Sequence, residues 1–200
     1  MRLVLIYLSA VISFLGTEPR LRPAEWGIPV INGKIENWYK IDDKVYRSAQ
    51  PDSRGMKDAE RFGIRNVLNL RNYHSGDDEV KGTGLKIFRV KMEAGDIQDD
   101  QITAALRIIR HAEGPVLVHC MHGSDRTGAV IAMYRIVLLN WNKETAVDEM
   151  VNGGYGFHGM YDNIIKYIQR CDVEKIREQV YAPQPAIPAV ELSVSSYSSR

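Results

Sequence analysis

The stretch "VLVHCMHGSDRTG", residues 116–128, decides the fold class and marks where the chemistry lies. A run of apolar residues ends at His119 and Cys120, small and polar residues follow, and the chain becomes apolar again after Gly128. This pattern predicts a short buried strand, a tight turn and a strongly apolar helix. One of the only two cysteines of the chain therefore stands where a strand ends and a helix is about to begin.

The turn between this strand and this helix has the features of an anion-binding site. Backbone N–H groups point inward there, and the positive end of the helix dipole lies beneath them. Gly123 permits a close approach or a positive φ, and the Arg126 guanidinium is a planar, two-pronged donor suited to phosphate oxygens. Such a setting favours the thiolate of Cys120, which is nucleophilic. The alternative, a cysteine that merely packs at a strand end, leaves His119 and Thr127 unexplained.

"HCMHGSDRTG" resembles the signature of the cysteine-dependent protein tyrosine phosphatase superfamily: His, Cys, five residues, Arg, then Ser or Thr. "VYRSAQP" and "GIRNVLNLR" upstream resemble its compact dual-specificity branch, which is related to tyrosine-phosphatase-like inositol polyphosphate phosphatases. The resemblance covers roughly residues 44–170 and implies an enzyme without metal or cofactor.

The resemblance also implies a role for each residue of the motif. Cys120 attacks phosphorus and forms a cysteinyl-phosphate, and Arg126 binds two phosphate oxygens and stabilises the transition state. Thr127 hydrogen-bonds the thiolate, and His119 orders the turn. The implied phosphate-binding residues, acting mainly through their backbone N–H groups, are Met121, His122, Gly123, Ser124, Asp125 and Arg126.

A general acid is expected on the acidic loop "EAGDIQDDQ", residues 93–101, because the leaving oxygen needs a proton. Asp96 is the predicted acid, since it precedes the predicted start of the next helix. Asp99 and Asp100 are alternatives whose competing role is to cap that helix. Asp125, within the turn itself, is a further candidate.

Residues around the predicted site have weaker assignments. Arg71 ends a strand at the presumed active-site edge, where it binds substrate phosphates or pairs with an aspartate of the following loop. Arg47 and Gln50 are interpreted as structural turn residues. The glycine-aromatic loop "GGYGFHG", residues 153–159, is predicted to be a packed helix connection, with contact between His158 and substrate as the alternative.

Strands and helices alternate along the chain, which predicts an α/β fold with a central, mostly parallel sheet flanked by helices. Gly63 is expected to end the first helix as a C-cap. The predicted strands are 44–51 (with its turn), 64–71, 85–92 and 115–120; the predicted helices are 51–62, 99–111, 127–140, 143–152 and 160–171.

The two ends of the chain differ in composition from its middle. One basic residue precedes an apolar run from Leu3 to Leu15, which is shorter than the ~20 residues that span a bilayer and fits a signal peptide. Export to the periplasm or the exterior, without stable membrane insertion after cleavage, is expected; an uncleaved anchor or a buried strand are the alternatives. The predicted organisation is a signal peptide (1–16), an irregular leader (17–43), a phosphatase domain (44–181) and a disordered tail (182–200).

Charge and cysteine content narrow the function classes. The formal net charge is +1, so general electrostatic attraction to nucleic acid is not expected. Export would permit disulfides. However, pairing Cys120 with Cys171 would remove the predicted nucleophile, so both cysteines are expected to be free.

The expected function is metal-independent phosphomonoester hydrolysis on a phosphorylated small molecule or phosphoprotein. Inositol polyphosphate, such as phytate, is the first expected substrate, because an exported enzyme can release free phosphate outside the cell. The alternatives are a protein tyrosine or dual-specificity phosphatase and a weakly catalytic phospho-binding module. The near-neutral charge counts against a hexakisphosphate, which needs a basic pocket. Nothing in the sequence indicates the oligomeric state.

Overall fold

A computed structural model describes residues 22–31 and 34–183 and is built on one six-stranded sheet. The strands are β1 (Ile28–Pro29), β2 (Tyr39–Lys40), β3 (Val45–Ser48), β4 (Asn66–Asn69), β5 (Lys86–Arg89) and β6 (Val116–His119). Their order across the sheet is β1-β2-β3-β6-β4-β5. The last four strands in that order are mutually parallel. At the other edge, β2 is antiparallel to both of its neighbours, β1 and β3.

Six helices of the described chain cover the two faces of this sheet. They are α1 (Ser53–Phe62), α2 (Asp99–His111), α3 (Asp125–Leu139), α4 (Lys143–Asn152), α5 (Asp162–Arg170) and α6 (Val173–Tyr181). Residues of α1 pack in one hydrophobic cluster with Tyr46, Val67 and Leu117 of the sheet. The other five helices pack in a larger cluster on the opposite face. The predicted α/β class with a mostly parallel, helix-flanked sheet is confirmed.

The central strand and the helix that follows it have the burial that their composition predicts. All four residues of β6 are buried, with Val116 and Val118 in the larger cluster and Leu117 in the cluster around α1. A strand buried on both faces has a continuous apolar sequence, as this one does. The α3 helix is buried on every side between residues 127 and 137, which places it at the centre of the molecule.

The helix ends show one correct prediction and one error. Gly63 has a φ of 114° at the C-cap of α1, and its N–H bonds to the carbonyls of the last turn, as predicted. Neither Asp99 nor Asp100 caps α2. The N-cap residue is Gln98, whose backbone N–H donates to the Gln101 side chain at 3.1 Å, while the Gln101 N–H donates to Asp100 Oδ1 at 2.8 Å.

Residues 22–31 and 34–43, which belong to the segment predicted as an irregular leader, pack against the rest of the molecule. They contribute β1 and β2 and four buried apolar side chains, those of Trp26, Ile35, Trp38 and Ile41. The predicted signal peptide (1–16) and residues 184–200 of the predicted tail lie outside the described residues. No helix in the described part of the chain has the length and apolar character needed to cross a membrane.

Candidate active site

The candidate site lies at the carboxyl ends of the parallel strands, where β6 leads into α3. Ligands commonly bind at this edge of an α/β sheet. We call residues 120–126 the cradle loop. Strand β6 is hydrogen-bonded to β3 on one side and to β4 on the other, so the start of the loop is fixed in place. Cys120 follows the strand directly and is 2% exposed. The strand, turn and helix predicted for the opening stretch are therefore present.

The cradle loop presents a run of free backbone donors. The six consecutive N–H groups from Met121 to Arg126 make no hydrogen bond to any residue within 22–31 and 34–183. Carbonyl groups of the same loop, in contrast, accept hydrogen bonds from the protein. Met121 O accepts from Gln50 N at 3.0 Å, and Gly123 O accepts from the Arg47 side chain at 2.5 Å. Because backbone N–H groups rarely lack an acceptor in a folded protein, this concentration of donors indicates a site for an anion.

Gly123 gives the cradle loop its close contact with the end of β3. Its φ of 74° lies in the left-handed region, which favours glycine. A Cβ at this position would also lie 2.5 Å from the carbonyl oxygen of Ser48 and 2.6 Å from the nitrogen of Ala49. Both backbone conformation and space therefore require glycine here.

His119 and Thr127 flank Cys120 from the strand and from the helix. Burial lowers the pKa of His119 to about 4, so its imidazole is neutral at neutral pH. Its Nδ1 lies 3.0 Å from the backbone oxygen of Cys120 and therefore carries the ring hydrogen. The Thr127 hydroxyl is buried and has no hydrogen-bond partner within the described residues. The contact of His119 with the Cys120 backbone agrees with the predicted role of His119 in ordering the turn. The hydrogen bond from Thr127 to the Cys120 thiolate stays a prediction.

Arg126 places the cradle loop next to the acidic loop. Its Nη1 lies 3.4 Å from the carbonyl oxygen of Met92, so the guanidinium reaches the chain that leaves β5. The next residue, Glu93, forms a tight bridged turn with Asp96, whose N–H donates to Glu93 O at 3.2 Å. Glu93 is therefore the residue directly after the Met92 carbonyl that Arg126 contacts. Sequence reasoning missed it as a candidate acid, although its position after the strand predicted for 85–92 was an available signal.

The aspartates proposed as general acid differ in their surroundings. Asp96 is exposed and accepts a hydrogen bond from the Gln98 side chain. Asp99 accepts from the Tyr167 hydroxyl at 2.9 Å and lies 3.8 Å from Lys175, so it joins α2 to α5 and α6. The contacts of Asp99 indicate a structural role. Asp96 remains a predicted general acid, and Glu93 is a second candidate.

Asp125 and the loop 153–159 are joined by a pair of hydrogen bonds. Both carboxylate oxygens of Asp125 face His158, one accepting from its backbone N–H at 3.0 Å and the other lying 2.8 Å from its Nδ1. Asp125 is buried and engaged, which does not favour it as the proton donor. The loop is packed, since Tyr155 is 1% exposed, as predicted. The His158 ring is nevertheless partly exposed and lies 5.6 Å from that of His122.

Three residues from neighbouring strand ends support the cradle loop. Arg71 donates to the Gln50 side chain, and its Nη2 lies 4.0 Å from the Met121 sulfur, so it lies beside the loop. Gln50 also binds the loop backbone, as described above. Arg47, interpreted from sequence as a turn residue, lies beneath the loop and is fully buried. Both cysteines are free, as predicted.

Comparison with known proteins agrees with this geometry. A family model described as "Tyrosine phosphatase family" matches residues 34–180. The dual specificity protein phosphatase TpbA of Pseudomonas aeruginosa is 32% identical over 146 residues, which cover 70% of this chain but only 65% of that protein. A crystal structure of P. aeruginosa TpbA in complex with pTyr has a TM-score of 0.71 at 28% identity, covering 80% of this chain and 98% of that chain. The core catalytic domain of the PP-IP phosphatase SIW14 of Saccharomyces cerevisiae, in complex with citrate, has a TM-score of 0.61 at 26% identity, covering 72% and 90%.

Proposed function

The chain belongs to the tyrosine phosphatase family, and from this premise we propose that it hydrolyses phosphate monoesters through a cysteinyl-phosphate intermediate. The observation that carries the proposal is the run of six unpartnered N–H groups, Met121 to Arg126, beside the buried Cys120. A phosphoryl group has oxygens enough to accept from several of these donors at once, and the N-terminus of α3 favours its negative charge.

The proposed reaction has two steps. The Cys120 thiolate attacks phosphorus, so that an S–P bond forms as the bond to the leaving oxygen breaks. Arg126 and the loop N–H groups stabilise the charge on the phosphoryl oxygens, a task that needs no metal ion. A carboxyl group on the turn 93–96 gives its proton to the leaving oxygen. Water then attacks the phosphorus and returns a proton to that carboxylate, which releases phosphate and restores the thiolate.

For the substrate we propose phosphotyrosine first. Exposed apolar and aromatic side chains lie on and beside the cradle loop: Met121 is 50% exposed, and the rings of His122, His158 and Tyr161 follow one another at centroid distances of 5.6 and 6.5 Å. Such a rim suits an aryl phosphate better than a polyanion. The likeness to TpbA, whose structure contains pTyr, supports the same choice.

Inositol polyphosphate, the first expectation from the sequence, is the second candidate substrate. The similarity to the PP-IP phosphatase SIW14 supports it. The acidic turn counts against it, since Glu93 and Asp96 are both exposed just beyond the Met92 carbonyl that Arg126 contacts, and their charges would repel a polyanion.

Phosphate release from a substrate panel tests both the reaction and the substrate. The panel contains a phosphotyrosine peptide, a phosphoserine peptide, phytate, lower inositol phosphates and an inositol pyrophosphate, with Cys120→Ser as the control. We expect the phosphotyrosine peptide to react fastest, vanadate to inhibit, EDTA to have no effect and Cys120→Ser to be inactive. Faster release from an inositol phosphate would reverse the order of substrates. Substantial activity of Cys120→Ser would contradict the covalent mechanism, and tight binding with negligible turnover would support a phospho-binding module.

We also propose that residues 1–16 direct export. The support is the single basic residue followed by the apolar run from Leu3 to Leu15. Cell fractionation and N-terminal sequencing of the expressed chain test it. We expect a processed protein outside the cytoplasmic membrane; an unprocessed chain that stays inside the cell would contradict the proposal.

A further inference from the structure

Arg47 is a buried cation packed directly beneath the cradle loop. It lies in β3, opposite Val118 of the central strand, and is 0% exposed. Its Nη2 donates to the carbonyl oxygen of Gly123 at 2.5 Å and lies 3.5 Å from that of Ser124. Its guanidinium carbon lies 3.7 Å from the ring centre of Tyr155. The loop backbone and an aromatic face therefore enclose the whole charged group.

No carboxylate within residues 22–31 and 34–183 forms an ion pair with Arg47. The carboxylate of Glu149 acts on Arg47 electrostatically but is itself paired with Arg135 at 2.9 Å. Burial lowers the pKa of Arg47 to about 10, so the side chain stays positive at neutral pH. An unpaired buried cation is costly unless an anion compensates it. The Arg47 guanidinium lies against the carbonyl oxygens of Gly123 and Ser124, so an anion bound by the N–H groups of the same loop would supply a compensating charge.

The hydrogen bond from Arg47 also controls where the loop N–H groups point. The carbonyl of Gly123 and the N–H of Ser124 belong to one planar trans peptide unit, so they point in opposite directions. A Gly123 oxygen held against Arg47 turns the Ser124 N–H to the opposite side, away from the protein interior. The same relation links the Ser124 oxygen and the Asp125 N–H. Both of these N–H groups belong to the unpartnered run.

We propose that Arg47 is a positioning residue for phosphate binding. It fixes the peptide units of Gly123 and Ser124 so that the N–H groups of these units face the anion, and it adds positive charge beneath the cradle loop without touching the substrate. The inference rests on the proposed function, since it takes the cradle loop to bind the phosphoryl group. It gives the arginine of "VYRSAQP" a role beyond that of a turn residue.

Substitution of Arg47 tests the proposal, in a Cys171→Ser background that leaves Cys120 as the single thiol. Three quantities are measured: kcat and KM, inhibition by vanadate, and the pH at which half of Cys120 is alkylated by iodoacetamide. We expect Arg47→Met to lower kcat/KM roughly 100-fold and to weaken vanadate binding about 10-fold, because oxyanion donors are misaligned. The alkylation midpoint should rise by about one pH unit, because a nearby cation is lost. Arg47→Lys should have an alkylation midpoint close to that of the parent protein, because lysine keeps the positive charge. Its vanadate affinity should stay close to that of Arg47→Met, because lysine lacks the planar guanidinium that binds the loop carbonyls.

Arg177→Met is the matched control. Its guanidinium also donates to two backbone carbonyls, those of Ile136 and Val137, but at the far end of α3. We expect this variant to keep the parent alkylation midpoint, and to leave the vanadate affinity and kcat/KM within about twofold of the parent values, because its contacts lie at the opposite end of α3 from the cradle loop.

The outcomes separate the positioning role from the proposed function. An Arg47→Met protein with the parent midpoint and the parent vanadate affinity would overturn the inference. If Arg47→Met does not fold, Tyr155→Leu removes the ring that holds the guanidinium, while Tyr155→Phe keeps it. Only the leucine variant should raise the midpoint, and equal midpoints in the two would overturn the inference. A parent protein that releases phosphate from no member of the panel would instead overturn the proposed function.

Discussion

His119, buried beside Cys120, makes the stability of the folded chain depend on pH. Burial lowers the pKa of this imidazole from 6.5 to about 4. Between these two pH values the unfolded chain binds more protons than the folded chain, so the free energy of unfolding falls as the pH is lowered from 6.5 towards 4. Above pH 6.5 the imidazole is neutral in both states, and its contribution no longer changes.

Substitution of His119 should remove this dependence. We expect the parent protein to lose up to about 1.4 kcal/mol more stability per pH unit below 6.5 than His119→Asn does. Urea unfolding at pH 7.5, 6.0 and 5.0 measures the difference. His111→Gln, at the exposed end of α2, should keep the parent slope. Equal slopes in the parent and in His119→Asn would contradict the prediction.

At the level of single residues, the sequence predicted best what is local in the chain. Cys120, Gly123 and Arg126 lie within a few positions of one another, so their spacing alone indicated a phosphate site. Arg47 was interpreted only as a turn residue, because its partner Gly123 is 76 positions away and a strand pattern says nothing of such a contact. Tyr155, the ring beneath Arg47, was missed for the same reason.

The cradle loop as an element depends on one position that admits no side chain. An alanine at position 123 would place its Cβ against the backbone of Ser48 and Ala49, so the loop must move away from β3 and its N–H groups lose their common direction.

We expect Gly123→Ala to lower kcat/KM and to weaken vanadate binding by roughly 100-fold, as for a lost oxyanion site. Gly82→Ala is the control, because Gly82 has a similar φ of 76° with no atom within 4 Å of the added Cβ. That change should cost on the order of 1 kcal/mol of stability and leave the kinetics unchanged. A Gly123→Ala protein with parent vanadate affinity would contradict the prediction.

The acidic turn 93–96 should contain the proton donor. We compare Glu93→Gln, Asp96→Asn and Asp100→Asn on p-nitrophenyl phosphate, whose leaving group needs little protonation, and on an alkyl phosphate, whose leaving group needs it. The variant that lacks the acid should lose roughly 100-fold on the alkyl ester and only a few-fold on the aryl ester. We expect this result for Glu93 or Asp96. Equal losses on both esters in all three variants would contradict a donor on this loop.

At the level of elements, periodicity and glycine signals predicted the parallel strands and the helices up to residue 171, because each is long enough to show a pattern. Strands β1 and β2 have two residues each, which is too few to show a pattern. The residues that form them were therefore predicted to be irregular. The N-cap of α2 was misassigned because it lies one residue earlier than expected, at Gln98, whose N–H is satisfied by the Gln101 side chain, while the sequence-based expectation favoured aspartate.

Across the whole molecule, Glu149 connects segments that are far apart in sequence. Its buried carboxylate accepts from Arg135 of α3, from the backbone N–H of Gly27 at 2.7 Å and from the Tyr155 hydroxyl at 2.9 Å. One side chain thus ties the N-terminal segment, the central helix and the loop beneath the site together.

Removal of this charge should destabilise the fold. We expect Glu149→Gln to lower the free energy of unfolding by about 3 kcal/mol, because Arg135 stays buried without a charged partner. Glu144→Gln, exposed in the first turn of the same helix, should change it by less than about 0.5 kcal/mol. Chemical denaturation measures both. A loss below about 1 kcal/mol in Glu149→Gln would contradict the prediction, because it would mean that a buried, unpaired Arg135 costs little.

The run of main-chain donors in the cradle loop has an evolutionary consequence. Every residue except proline carries a backbone N–H, so the exposed positions 121 and 122 can change without removing the donors that we propose bind the phosphoryl group. Drift or selection at these two positions can therefore shift preference among esters while the proposed hydrolysis persists. The scaffold is accordingly suited to laboratory diversification, starting from a saturation library at Met121 and His122.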